Sequence, residues 1–348
     1  MPQIESKPPI SVTSEASKLE INRVPAPTPL VDVMGGCQRM EIKIHEHGFL
    51  ALLDAMPRLV PVGSDGKPQT ADSAIVQAAR VSYGAGTKKV NEDRGLIRYL
   101  MRHRHTTPFE MLEFKFHVSM PIFIARQWIR HRTANVNEYS GRYSIMPDHF
   151  YRPSVEDVRK QSTSNRQGGE ETFVQGTEAR RHEGTKGTRH EETTPGANAD
   201  GLLTAQEFVS YLAEAEALYE RYQKLTEKGV SRELARIGLP VSVYTQWYWK
   251  CDLHNILRFL SLRLDAHAQK EIRIYAEAML ALLEPIVPIA IEAWRDYELE
   301  GVHLSRLEVE ALRAGAANGS FGEIASDNTR ERAEWITKRA KLGLGPKS

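Results

Sequence analysis

Cysteine is scarce in this chain. Cys37 and Cys251 stand far apart among 348 residues, so neither a disulfide framework nor a CxxC metal pair is available. Such scarcity suits a reducing compartment. With an N-terminus, MPQIESKPPISVTSEASKLE, that has no apolar signal core, it predicts a cytoplasmic protein. No apolar run is long enough to span a bilayer, which predicts no membrane association. Neither charge is in excess: 46 Lys and Arg face 45 Asp and Glu, a net charge of +1. That balance argues against nucleic acid as the main partner, so any anion binding must be local. The phosphate loops GxGxxG and GxxxxGKS/T are absent, as is the GxSxG elbow, which excludes the standard dinucleotide, nucleoside triphosphate and α/β-hydrolase sites. There is no repeat at a solenoid period.

A hydrophobic content of 41% can fill one large core or two ordinary ones. Residues 1–39, rich in Pro, Ser and Thr, predict an extended or disordered arm. Alternation of Met40, Ile42 and Ile44 predicts a strand over 40–48. Leu112, Phe114, Phe116, Val118 and Met120 predict another over 111–120. TADSAIVQAARVSYG reads as a helix up to Ser82, capped by Asp72 or Ser73. Leu96, Ile97, Leu100 and Met101 share one face of a helix that stops before Thr106, Thr107 and Pro108. Pro121 suits the first turn of a helix, PIFIARQWIRHR. Residues 160–203 are polar and glycine-rich and predict a flexible insertion, not a domain. A helix capped by Thr204 and stopped at Gly229 follows, then a short helix ending before Pro240. VSVYTQWYWKCD is β-branched and aromatic, hence a strand, and a long helix runs from about Asn255 to Pro285 and Pro288. LSRLEVEALRAG and TRERAEWITKRAKLG predict surface helices in a tail, 301–348.

The most chemically loaded stretch is RHRTANVNEYSGRYS, residues 130–144, directly after an apolar segment. Arg126 and Arg130 are i,i+4 and Gln127 and Arg130 are i,i+3, so they share helix surface. Guanidinium forks with Asn, Ser and Gly141 are the composition that a phosphate site needs. A charged helix end would account for any one of these residues, but not for so many together. RHRHTTPFE (102–110) offers His103, His105 and Glu110, yet no HExxH pattern and no cysteine support a metal, so none is expected. Arg236 alone reads as a surface ion-pair former. Arg258 and Arg263 are flanked by apolar residues and need an anion or a carboxylate, for which Asp265 is a candidate. Ser140 lies two residues from Glu138, which does not make a nucleophile–base pair. These residues predict a soluble α/β protein that binds a phosphorylated ligand. A non-enzymatic nucleotide- or RNA-binding protein stays open, with Trp128, Tyr139, Tyr143 and Trp247 to stack bases.

RHRTANVNEYSGRY resembles the signature of the flavin-dependent thymidylate synthases, RHR followed by NExSxRY. AARVSYG, HTTPFE, PIFIARQW, ARIGLPVSVYT and LRFLSLRLDAHAQKEI stand in the order and spacing of that family. The resemblance covers roughly 40–150 and 204–300, so it implies one enzyme domain over 40–300. It departs at Asn135, where the family usually has serine, and at Arg258, where other members often carry Asn or His. It implies an α/β fold of the α+β type, an antiparallel sheet with long helices, in a homotetramer with shared active sites. It implies methylation of dUMP to dTMP, with methylene-tetrahydrofolate as carbon donor, FAD as cofactor and NADPH as reductant. The flavin contacts it implies are Ser82, Thr107, Arg130, His131, Arg132, Glu138, Asp252, His254 and Arg258. The nucleotide contacts are Gln127, Arg130, Glu138, Ser140, Gly141, Arg142, Arg236 and Arg263. Arg263 would stabilise charge on the uracil ring, and His105 would lie near the flavin. No cysteine nucleophile is then required. A flavoenzyme that keeps this fold but acts on another pyrimidine nucleotide stays open beside it.

Overall fold

A computed structural model of the chain describes residues 29–63, 65–81, 93–162, 168–174, 195–319 and 321–344. The chain enters through β1 (Leu30–Asp32), then the hairpin of β2 (Met40–Ile44) and β3 (Gly48–Met56), and β4 (Leu59–Pro61), which pairs with β1. The arm expected over 1–39 therefore ends in a paired strand, with Arg58 tied to Asp32 at 3.1 Å. The helices α1 (Asp72–Val81), α2 (Asp93–Arg102) and α3 (Thr107–Glu110) lead into β5 (Glu113–Pro121) and α4 (Ile122–Trp128). Next come β6 (Asn135–Glu138), the hairpin β7 (Arg159–Gln161) and β8 (Gly169–Thr172), then α5 (Pro195–Glu216), α6 (Leu218–Glu227) and α7 (Arg232–Ala235). The chain continues through β9 (Tyr244–Asp252), α8 (Leu253–Arg263), α9 (Lys270–Leu283), α10 (Pro288–Trp294), α11 (Arg306–Asn318) and α12 (Thr329–Lys341).

The main sheet is antiparallel throughout, in the order β2-β3-β5-β9-β6. Alternation decides its faces. Phe114, Phe116, Val118 and Met120 of β5 lie opposite β9 and are buried, as are Trp247, Trp249 and Cys251 of β9. The core on this face includes Trp128 of α4, Phe259 of α8 and Tyr275 of α9. Trp128 meets Trp247, Trp249 and Phe259 with ring centroids 5.9, 5.5 and 4.7 Å away. The architecture is thus a mixed helical and antiparallel-sheet one. Among the described residues no helix is long and apolar enough to cross a membrane, and no group of three His, Cys, Asp or Glu is placed to hold a metal.

Several local expectations are corrected. Asp72 does not cap its own helix. Its buried carboxylate accepts from the Ile289 and Ala290 amides at 3.0 and 2.9 Å, the free N–H groups at the start of α10, and from the Thr70 hydroxyl at 2.9 Å. Pro121 ends β5 and caps α4 from outside the helix, which stops at Trp128 rather than at Arg132. The helix expected from Thr204 starts at Pro195, inside the 160–203 stretch, and breaks at Ala217. Thr204 lies within it and donates its hydroxyl to the Asp200 carbonyl. Gly229, at φ 91, does stop α6. The long helix after Asn255 is interrupted at 264–269, where the Asp265 carboxylate takes the His267 amide at 2.8 Å in competition with the helix. The β7–β8 hairpin also falls in the expected insertion.

Candidate active site

The predicted residues fall around three cavities linked by shared elements. The largest, about 600 Å³, is lined by Arg126 of α4, Ile129 just after it, Glu138 of β6, the loop Tyr139–Arg142, Arg236 and Trp247. Strand pairing builds it. Glu138 lies opposite Trp247, and its carboxylate accepts from the Thr245 hydroxyl at 2.9 Å. The Tyr139 amide adds one more bond, to the Gln246 carbonyl at 2.7 Å, before the chain turns into Ser140, Gly141 and Arg142. This loop is pinned at buried Met146, whose amide donates to the Tyr222 hydroxyl at 3.1 Å and whose carbonyl accepts from the Tyr219 hydroxyl at 2.6 Å. Gly141 is needed for close approach. A Cβ there would sit 2.7 Å from the Met146 sulfur and 3.2 Å from Cδ of Arg236.

A second cavity, about 240 Å³, lies beyond the end of α4. Arg130, His131, Arg132, Cys251, Arg258 and Arg263 contribute to its wall. Arg263 donates Nε–H to Nε2 of His131 at 3.1 Å. That bond needs a neutral imidazole. Burial, and then the Arg263 and Arg258 guanidiniums, push the His131 pKa down to about 4. Burial also lowers the pKa of Arg263. The Cys251 thiol goes the other way: burial, with the Asp252 carboxylate beside it, raises its pKa, and it donates to the Thr133 carbonyl. A third cavity, about 480 Å³, shares Arg258 and Leu262 with the second and adds His105, His254, Leu257 and Trp294. His105 follows Arg104, which takes a left-handed turn at φ 57, and stacks at 6.0 Å on Tyr99.

Three predicted residues stand apart from these walls. Thr107 is the first residue of α3. Asp252 caps α8, accepting from the amide of Asn255 at 2.9 Å and from its side chain at 2.8 Å. Gln127 hydrogen-bonds Gln269. Ser82 lies outside the described residues. The partner expected for Arg263 is also corrected, because the Asp265 carboxylate is engaged by His267 at 2.8 Å. Sequence reasoning missed Thr245 and Gln269, since strand register and a turn inside an apparent helix carried no periodic signal.

The common property of these walls is electrostatic. Arg126, Arg130, Arg132, Arg142, Arg236, Arg258 and Arg263 each lack a carboxylate partner among the described residues. Elsewhere Arg58, Arg80, Arg98 and Arg295 all have one. A guanidinium beside a cavity and without a counter-charge is set up to receive an oxyanion, and its planar fork can bind two oxygens of a phosphate.

His131 gives a pH expectation. It is neutral when folded, with a pKa near 4 against about 6.5 unfolded. The unfolded chain therefore binds more protons between those values, and stability present above about pH 6.5 is lost as the pH falls towards 4. The melting temperature of His131→Asn should fall less steeply than that of the parent over this window. Parallel curves would refute the assignment.

An antiparallel sheet packed with helices, carrying uncompensated guanidiniums around neighbouring cavities, is of a class suited to binding phosphorylated ligands. The comparisons with known proteins narrow this class. Residues 67–289 match the family model described as thymidylate synthase complementing protein, and the chain belongs to that family. It is 55% identical over 333 residues to a flavin-dependent thymidylate synthase of Dictyostelium discoideum, covering 96% of this chain and 97% of the relative. It is 48% identical over 274 residues to one from Wolbachia pipientis wMel, covering 78% and 82%. Among solved structures, the UMP/dUMP methylase PolB from Streptomyces cacaoi, bound with 5-Br dUMP, is similar at 30% identity and a TM-score of 0.53, covering 74% of this chain and 99% of that one.

Proposed function

We propose that this protein is a flavin-dependent thymidylate synthase that methylates dUMP to dTMP, with methylene-tetrahydrofolate as carbon donor and NADPH as reductant. The carrying observation is that the uncompensated guanidiniums lie on segments matching a family whose relatives bear that name. Glu138, Ser140, Gly141, Arg142 and Arg236 line the larger cavity and hold the nucleotide phosphate and sugar. Of the other nucleotide residues, Arg130 and Arg263 line the second cavity and Gln127 lines neither. The second and third cavities fit FAD: Arg130, Arg132 and Arg258 suit a diphosphate, and Leu257, Leu262 and Trp294 suit a flat ring. Bound there, the flavin supplies the redox chemistry. His131, His254, Glu138, Thr107, Asp252 and Ser82 are the remaining flavin-side residues, and His105 would lie near the flavin. The chain's own contribution is to bind and orient the nucleotide, and to place a cation where charge develops on the uracil. Arg130 and Arg263 line a different cavity in one chain from Glu138, Ser140, Gly141, Arg142 and Arg236, which supports a homotetramer whose copies complete each other's sites. The catalytic unit is 40–300, with 160–203 as an insertion and 301–348 as a tail, in a cytoplasmic enzyme without nucleic-acid or membrane partners.

Tritium release from C5 of labelled dUMP tests the proposal. Release should require methylene-tetrahydrofolate, NADPH and FAD. No release from folded, flavin-loaded protein would overturn it, and tritium-labelled UMP in a parallel arm tests the other pyrimidine nucleotide. The thiols give a second expectation. Cys37 is exposed, and Cys251 is a buried, raised-pKa thiol donating to a carbonyl, so neither is a ready thiolate nucleophile. Cys37→Ala and Cys251→Ala should keep kcat within about threefold, given that removing an essential nucleophile costs orders of magnitude. Loss of turnover in either, with folding intact, would defeat the thiol-free reading.

A further inference from the structure

Three successive residues at the start of α9 each hold a different segment. Gln269 bonds Gln127 of α4, Lys270 pairs with Asp157, and Glu271 accepts from the Tyr151 hydroxyl at 3.0 Å. Gln269 occupies the position before the helix, where side chains commonly satisfy the helix's own free N–H groups. Its side chain makes no such bond and reaches across to Gln127 instead. Six residues earlier, Arg263 at the end of α8 reaches His131. Gln127 and His131 flank the turn at 129–130 that ends α4, where the His131 amide donates to the Trp128 carbonyl at 2.9 Å. The α8–α9 connection thus grips the end of α4 at two points, on either side of Arg130.

We propose that Gln269 is a positioning residue for the nucleotide site, fixing the side-chain amide of Gln127 so that one end of it is committed to the ligand. In this arrangement Nε2 of Gln127 donates to Oε1 of Gln269. The carbonyl oxygen of Gln127 is then left to accept an N–H or O–H from the nucleotide. Without Gln269 the amide rotates, and ligand binding has to order it. The inference rests on the reading that Gln127 touches dUMP, and it assigns to Gln269 a role that acts only through Gln127.

Steady-state kinetics on the flavin-loaded enzyme test it, with thermal unfolding as a check on each variant. Wild type is run first. If it neither binds nor turns over dUMP, the functional reading fails and the present inference falls with it. Otherwise Gln269→Met should raise KM for dUMP about five- to tenfold, with kcat within about twofold, as expected for a lost ordering contact. Gln269→Glu keeps an acceptor for the Gln127 amide and should restore KM to within about twofold of wild type. Adding Gln269→Met to Gln127→Met should weaken binding no further. An unchanged KM, no rescue by Gln269→Glu, or effects that multiply in the double variant would each overturn the proposal. If Gln269→Met does not fold, Gln269→Ser takes its place in the same cycle, judged by the same criteria.

Discussion

Arg263→Ala is expected to lower kcat by about a hundred- to a thousandfold, the range seen when one preorganised electrostatic contact to a developing charge is removed. The structure supplies the reason. Arg263 is half-buried, its Nε is committed to neutral His131, and its two terminal nitrogens have no carboxylate partner among the described residues. A cation held in that way is preorganised, because nothing has to be released before it meets an anionic ring. Arg263→Lys keeps the charge and loses the planar fork, including the bond to His131, so it should fall between the parent and the alanine variant. The check is kcat for each variant beside the dissociation constant for dUMP. Weaker binding with kcat unchanged would make Arg263 an ordinary anchor and remove it from the chemistry.

Asp72→Ala is expected to be the most damaging change outside the cavities. Asp72 is 2% exposed and serves a helix more than two hundred residues away in sequence. Removing its carboxylate strands the Ile289 and Ala290 amides and the Thr70 hydroxyl. At about 1–3 kcal/mol for each buried unsatisfied group, the loss is on the order of 3–9 kcal/mol. In a protein of this size that lowers the melting temperature by roughly 4–12 °C. Asp72→Asn retains one carbonyl oxygen for the helix start and should lose less. A melting temperature for Asp72→Ala within a degree or two of the parent would show that water replaces the carboxylate.

What could be read from the sequence was what repeats locally. The alternation in β5 and the aromatic run of β9 are period-2 patterns, and both strands are where that pattern places them. β6 is four residues of Asn, Val, Asn and Glu, with nothing intrinsic to make it a strand; it is extended because β9 offers it an edge. The turn at 264–269 was hidden by apolar residues on both sides that keep helical spacing, while one aspartate side chain decides the break. The site shows the same division. Its arginines were legible as a cluster, because chemistry depends on residue type. Their distribution over three cavities was not, because it depends on which strand ends and helix ends the fold brings together. Asp72 was read as a local cap because its role in α10 has no local signature.

The aromatic cluster on the buried face of the sheet has an optical consequence. Of the five tryptophans, Trp128, Trp247 and Trp249 lie within ring-stacking distance of one another or of Phe259. Excitation absorbed by one is shared with the others, so near-ultraviolet emission of the folded protein comes largely from this one place. Trp247 also forms part of the wall of the largest cavity, and Trp294 of the third. A pyrimidine or a flavin entering these cavities therefore comes close enough to quench the protein's own fluorescence, and occupancy can be followed without a label.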